Sequence, residues 1–112
     1  MNDSILTTIK KMLGIPESDD AFDTDVIVSI NSAIMTANQL GVGVEGFMIT
    51  GSTETWGEFI GDYPQLEAVK HYIYMCVRLA FDPPANSFAV SSLEKQRDEL
   101  TWRLNVQAEA GD

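Results

Sequence analysis

The sequence predicts an all-α fold, a single small domain of about four to five helices around a long central one, with at most a minor extended segment near residues 47–50. Three observations carry this reading. Ile27, Ile30, Ile34 and Ala37 recur every three or four residues, with Val26, Ala33 and Leu40 beside them, which is the period of an amphipathic helix. The stretch Tyr72 to Phe81 is apolar on nearly every side and is closed by Pro83-Pro84, a pair that forbids helix continuation. Finally, Val90, Leu93, Arg97, Leu100 and Leu104 trace one stripe, while Glu94, Lys95, Asp98, Glu99 and Arg103 fill the positions between.

The elements follow in chain order. Ser4 can cap a first helix whose Ile5, Leu6, Ile9, Met12 and Leu13 form an apolar face, with Lys10 and Lys11 near its negative end and Gly14 to Pro16 stopping it. The second helix starts at Asp23 or Thr24, either of which can accept a bond from a free N–H of the first turn. Phe47-Met48-Ile49-Thr50, flanked by Gly46 and Gly51, is a strand or an extended loop segment that cannot make a sheet by itself. Thr53 to Ile60 is expected to form a brief helical turn laying Trp56 and Phe59 on the core. The central helix is expected from near Asp62, with Pro64 in its first turn, through Phe81. A last helix follows from about Ser87. The domain is drawn as residues 1–104, followed by a mobile C-terminal tail, 105–112, that has little to bury.

Gly41-Val42-Gly43-Val44-Glu45-Gly46 fits the G-x-G-x-x-G string of dinucleotide-binding loops. That fingerprint needs a strand running into the glycines and a helix leaving them, so that free N–H groups and the positive dipole end meet a pyrophosphate. Here a helix runs in, and Gly41 is placed to end it with positive φ. The polarity is reversed, and the string reads as a helix stop followed by a turn.

Composition excludes several classes. Seven basic against seventeen acidic side chains give a net charge of −10, which disfavours attraction to nucleic-acid phosphates or anionic lipid. The imbalance is concentrated in residues 1–61, with two lysines against nine acids, whereas residues 62–112 carry five basic groups against eight acids. The apolar runs fall short of a bilayer span, and Met1-Asn2-Asp3-Ser4 lacks the basic start and apolar core of a secretory signal. A lone cysteine, Cys76, excludes an internal disulfide and fits a reducing compartment.

Catalytic, cofactor-binding and metal-binding residues are all assigned as none. His71 and Cys76 lie five apart, about 140° around a helix axis, and cannot pair as base and nucleophile. The acidic loop Glu17 to Phe22 supplies no register with the alternating ligands, sixth-position glycine and twelfth-position glutamate of an EF-hand, so its acids read as solvated charge. No P-loop, zinc pattern or serine elbow is present.

Taken together, LTTIKKMLGI, FDTDVIVSINSAIMTANQLGVG, TWGEFIGD, AVKHYIYMCVRLAFDPP and LEKQRDELTWRLN resemble the small helical head–tail connector proteins of long-tailed bacteriophages and prophages, also called adaptor or head-completion proteins. The resemblance runs from Leu6 to Asn105 and is most specific at Gln39 to Gly43, Trp56 to Asp62 and Val77 to Pro84. It rests on pattern over the whole length and carries over no catalytic residue. It implies a mainly helical virion protein, assembled in the host cytoplasm, that forms a homo-oligomeric, dodecameric ring under the portal protein at the head–tail interface. The ring would offer a platform to the stopper or tail-completion protein, with DNA passing through it without sequence-specific binding, and neither cofactor nor membrane is involved. A surplus of negative charge suits a channel wall that repels DNA instead of gripping it. Two other classes compete: an acidic phage-encoded inhibitor that mimics DNA, which would need acids in regular rows on one surface, and a small enzyme, which would need a cleft around a perturbed His71 or a carboxylate pair.

The candidate contact surface lies on the last helix. If its apolar stripe faces the core, Trp102, two residues past Leu100, points about 200° around the axis toward the other side. Either it folds onto a neighbouring loop or it anchors a contact with the adjacent subunit or the portal. Arg97, Arg103 and Asn105 complete the candidate interface, with the tail beyond Asn105 ordering on docking.

Overall fold

Ser4 opens the first helix by accepting the Thr7 N–H on its hydroxyl at 3.2 Å. In the computed structural model, which describes residues 3–61 and 65–110, the chain forms five helices: α1 (Ile5–Leu13), α2 (Asp23–Gln39), α3 (Trp56–Ile60), α4 (Leu66–Phe81) and α5 (Ser87–Ala110). The fold is all-α, and residues 47–50 pass as extended chain without entering a strand. An isolated antiparallel bridge, Ser4 with Thr55, ties the start of α1 to the start of α3. The helix start expected at Asp62 and Pro64 lies outside the described residues. The segment expected as a tail is helical from Asn105 to Ala110, continuing α5.

α4 is the centre, packing against α1, α2 and α5. Its Val69, Tyr72, Ile73, Met75 and Val77 are buried, and Ile73 meets a cluster that includes Ile5, Ile9, Ile30, Ile34 and Phe59. Phe22, before α2, packs edge-on against Phe81 at the end of α4, ring centroids 5.8 Å apart. Gln65 and Ala68 at the start of α4 share a recess with Leu100 to Val106 of α5, and Tyr74 and Arg78 share another with Phe88 to Gln96. α2 and α5 therefore both run antiparallel to α4 and parallel to each other. Asn105, toward the end of α5, donates its amide to the Leu40 carbonyl after α2 at 3.5 Å.

Several local expectations are corrected. Neither Asp23 nor Thr24 caps α2: the cap position is Phe22, with no side-chain bond, and Asp23 is the first helical residue. The Asp23 carboxylate is occupied by Lys10, whose Nζ lies 2.8 Å away. Lys10 is not a solvated dipole partner at the end of α1; it is buried, and its ammonium also donates to the Glu17 carbonyl at 3.2 Å and the Asp19 carbonyl at 2.8 Å. Two carbonyl acceptors and an adjacent carboxylate are what make a buried lysine tolerable, although Asp23 Oδ1 meets the ammonium as an ion pair without hydrogen-bond geometry. The acidic 17–23 loop is thus wrapped around a cation supplied by the chain itself. Met12 is exposed, so the α1 face is narrower than its sequence suggests. On α5 only Leu104 of the expected stripe is fully buried; Val90, Leu93, Arg97 and Leu100 are half-buried against α4.

The glycine string closes α2 as a Schellman stop. The Val42 N–H reaches the Ala37 carbonyl at 3.0 Å, the Gly41 N–H reaches Asn38 at 2.9 Å, and Gly41 has φ of 87°. Two asparagines seven apart on one face of α2 then hold the following chain. Asn38 donates to the Val42 and Val44 carbonyls at 2.9 and 3.1 Å and accepts from the Gly46 N–H at 3.2 Å. Asn31 donates to the Ile49 carbonyl at 3.0 Å and accepts its N–H at 2.8 Å, pairing with it as a neighbouring strand would. A capping box between Thr55 and Glu58 starts α3, which buries Trp56 and Phe59 as expected. The Trp56 indole N–H donates to the Thr8 hydroxyl at 3.1 Å, so no buried donor is left open there.

The α4–α5 seam has a measurable pH signature. Burial, reinforced by the adjacent Cys76, pushes the Tyr72 hydroxyl from 10.0 up to about 12. Burial also raises the Cys76 thiol. A pKa raised in the folded state contributes stability that is fully present below the unfolded value and lost as pH rises through the folded one. Melting temperature is therefore expected to fall between about pH 10 and 12, and Tyr72→Phe should flatten that fall while melting normally at neutral pH. An unchanged alkaline slope in Tyr72→Phe would show that the phenol is not responsible.

Candidate assembly surface

A helix in a small domain shows its function on the face it leaves uncovered. On α2 the positions Asp25, Val28, Ser32, Met35 and Gln39 recur at helical spacing and are all exposed. Val28 and Met35 are 62% and 60% exposed, which is unusual for apolar side chains on a helix that buries its other face. The loop stitched down by Asn31 and Asn38 adds Phe47 and Met48 as a second wall. Between wall and helix lies a groove of about 680 Å³ whose exposed surface is mostly apolar, although Asn31, Ser32, Asn38, Gln39 and Glu45 also line it.

On α5 the outward stripe is Phe88, Ser91, Lys95, Glu99, Trp102 and Val106, again all exposed. Asn86 caps this helix by accepting the Phe88 and Ala89 N–H groups at 2.7 and 3.2 Å, which fixes where Phe88 emerges. Trp102 is 68% exposed and Phe88 81%, so Trp102 does not fold down on a loop of its own chain. Beside it Arg103 is exposed and pairs with Glu99 one turn earlier at 2.5 Å. The other two expected contact residues are less exposed. Arg97 is half-buried, bonded to Asp98 at 3.2 Å, and Asn105 is half-buried on Leu40. The four residues thus differ in exposure: Trp102 and Arg103 stand fully on the surface, Arg97 is half-buried and bonded within α5, and Asn105 alone reaches another element, at Leu40.

Helical phase in the sequence places Trp102 outward, as observed, but does not by itself reveal the α2 groove. A signal for it was present: α2 carries apolar residues at Val28 and Met35 on the side away from its core stripe, and two apolar residues seven apart on an outer face want a partner there.

The polar groups of the glycine loop have little left to offer a phosphate. The N–H groups of Gly41, Val42, Val44 and Phe47 are bonded to backbone carbonyls, and that of Gly46 to Asn38. His71 is exposed, edge-on to Tyr74 with centroids 6.1 Å apart, and Cys76 is half-buried toward Tyr72. They do not converge. Among the described residues no group of His, Cys, Asp and Glu is arranged to hold a metal ion, and no helix is long and apolar enough to cross a membrane.

A helical domain whose glycine-loop donors are mostly bonded within the chain, and which exposes large apolar side chains along two helices, fits the class of structural assembly proteins. The model of the phage connector protein family matches residues 5–111. The chain belongs to that family, and its place is the connection between phage head and tail. Neither a curated protein nor a solved structure matches the chain.

Proposed function

We propose that this connector assembles as a homo-oligomeric, dodecameric ring beneath the portal protein, lets DNA pass, and presents the docking platform for the stopper or tail-completion protein. It works without catalysis, by packing surfaces together. The observation that supports this most directly is the outward Trp102–Arg103 pair, since exposed aromatic and arginine side chains are the common anchors of protein contacts. Two different uncovered faces on one chain also suit a head-to-tail contact, which closes into a ring where a twofold contact would stop at a dimer. The net charge of −10, multiplied around a ring, would keep the DNA path from binding its cargo. Arg97 supplies a polar contact beside Trp102, Asn105 also holds α5 on the end of α2, and the segment 105–112 contributes to docking on the portal.

Trp102→Ala is expected to leave the isolated domain folded, because the ring leaves solvent and not the core, while ring formation or portal binding is lost. Deleting residues 105–112 should weaken docking without unfolding the rest. Sedimentation and portal pull-down of both variants beside the parent decide it. Normal assembly and docking by both would remove this end of α5 from the contact.

A further inference from the structure

The α2 groove and the α5 stripe fit each other. Both are exposed lines along helices, and within one chain the two helices run parallel on α4. Rotation about a ring axis lying along these helices preserves that direction, so α2 of one copy would meet α5 of the next in parallel. Seating Trp102 of one copy beside Met35 of its neighbour sets the register. Lys95, seven residues before Trp102, then comes level with Val28, seven residues before Met35, and one turn from Asp25 on the same face. Asp25 and Lys95 are both exposed, and neither makes an ion pair among the described residues. Glu45 at the groove is likewise without a cation among the described residues, whereas Arg103 is already paired with Glu99 of its own helix.

We propose that the groove formed by Val28, Met35, Phe47 and Met48 is the receptor for a second copy of this chain, which inserts Trp102 there and places Lys95 against Asp25. This rests on the ring reading above and names the two surfaces that would meet in it. The contact is heterologous, so each copy offers one groove and one tryptophan. An apolar groove with Asp25, unpaired among the described residues, one turn beyond it matches a tryptophan with Lys95, likewise unpaired, two turns before it, and that charge pair fixes register more than affinity.

Zero-length carbodiimide coupling of the full-length chain joins a carboxylate to an amine already in contact. With equal parts of isotopically heavy and light chain, mass spectrometry should find Asp25–Lys95 peptides of mixed heavy and light origin, and Met35→Glu should abolish them. A second experiment mixes two variants. Met35→Glu keeps its tryptophan but spoils its groove, and Trp102→Ala does the reverse. Each alone should remain monomeric, whereas the mixture should form one-to-one pairs and no larger species. Both positions are exposed, and circular dichroism confirms that the variants are folded. Absence of mixed-origin Asp25–Lys95 peptides, or absence of pairs in the mixture, overturns the seating. Negative-stain microscopy of phage particles carrying each variant separates this from the connector role. Necks that assemble normally with Met35→Glu sink the seating alone, while a chain absent from the neck altogether sinks the ring reading.

Discussion

Ile73→Asp is expected to abolish cooperative unfolding. Ile73 is fully buried at the middle of α4, and the cluster around it draws on α1, α2 and α3 at once. Truncating an isoleucine in such a place costs about 2–5 kcal/mol in lost burial and cavity. The carboxylate adds the cost of an unpaired charge, or of a neutral acid without a hydrogen-bond partner, which is several kcal/mol more. A domain of this size has a total stability of only about 5–15 kcal/mol, so the two together remove most or all of it. Lys10 shows what the fold requires of a charge it does bury: two backbone carbonyl acceptors and an ion-paired carboxylate, all within 3.2 Å. No comparable set surrounds Ile73, whose neighbours in the cluster are hydrophobic side chains. Thermal unfolding followed by circular dichroism checks this, and a sigmoidal transition near that of the parent would mean that α4 is not the centre of the core.

The helices were legible because each is written in short-range periodicity. Ile30, Ala33, Ile34 and Ala37 repeat at the helical spacing and are buried in the structure, and Pro83-Pro84 ends α4 at Phe81. Gly14 and Gly41 mark stops by local chemistry alone, and both have positive φ. What stayed hidden depends on partners distant in sequence. Lys10 could not be distinguished from a surface lysine, because its acceptors lie in a loop seven to thirteen residues away. Asn31 reads as an ordinary polar residue on α2 until the backbone of Ile49, eighteen residues on, is laid beside it. The candidate contact residues divide on the same principle. Helical phase alone turned Trp102 outward, whereas the direction of Asn105 depended on Leu40, sixty-five residues earlier. The outer face of α2 was the opposite case: Val28 and Met35 were visible, but their exposure follows from which side α4 occupies, and that is a tertiary fact.

Gly43→Ala should be strongly destabilising for a single-methyl change, and the reason lies in packing and not in ligand binding. Gly43 has φ of +82°, and a Cβ built there would stand 2.2 Å from Cε1 of Phe59 and within 2.8 Å of two further ring atoms. Phe59 cannot step aside, because it is fully buried and packs against Phe47 with ring centroids 5.2 Å apart. The cost is left-handed backbone strain of roughly 1 kcal/mol plus an overpacking penalty of about 1–3 kcal/mol. Gly46→Ala is the matched control. Gly46 has φ of +80° with nothing within 4 Å of the added carbon, so it bears the strain without the collision. The difference between the two melting temperatures isolates the contact with Phe59 and should amount to several degrees or more, at about 4–8 °C per kcal/mol for a small domain. The same pair of proteins tests the glycine string as a nucleotide loop. A pyrophosphate would need free N–H groups, yet those of Val44 and Gly46 are held by the Phe59 carbonyl at 2.9 Å and by Asn38 at 3.2 Å. NAD or ATP should therefore leave the parent's melting temperature unchanged. Equal losses in Gly43→Ala and Gly46→Ala would show that backbone strain alone governs the loop, and a rise in melting temperature with either nucleotide would show that these glycines cradle a phosphate after all.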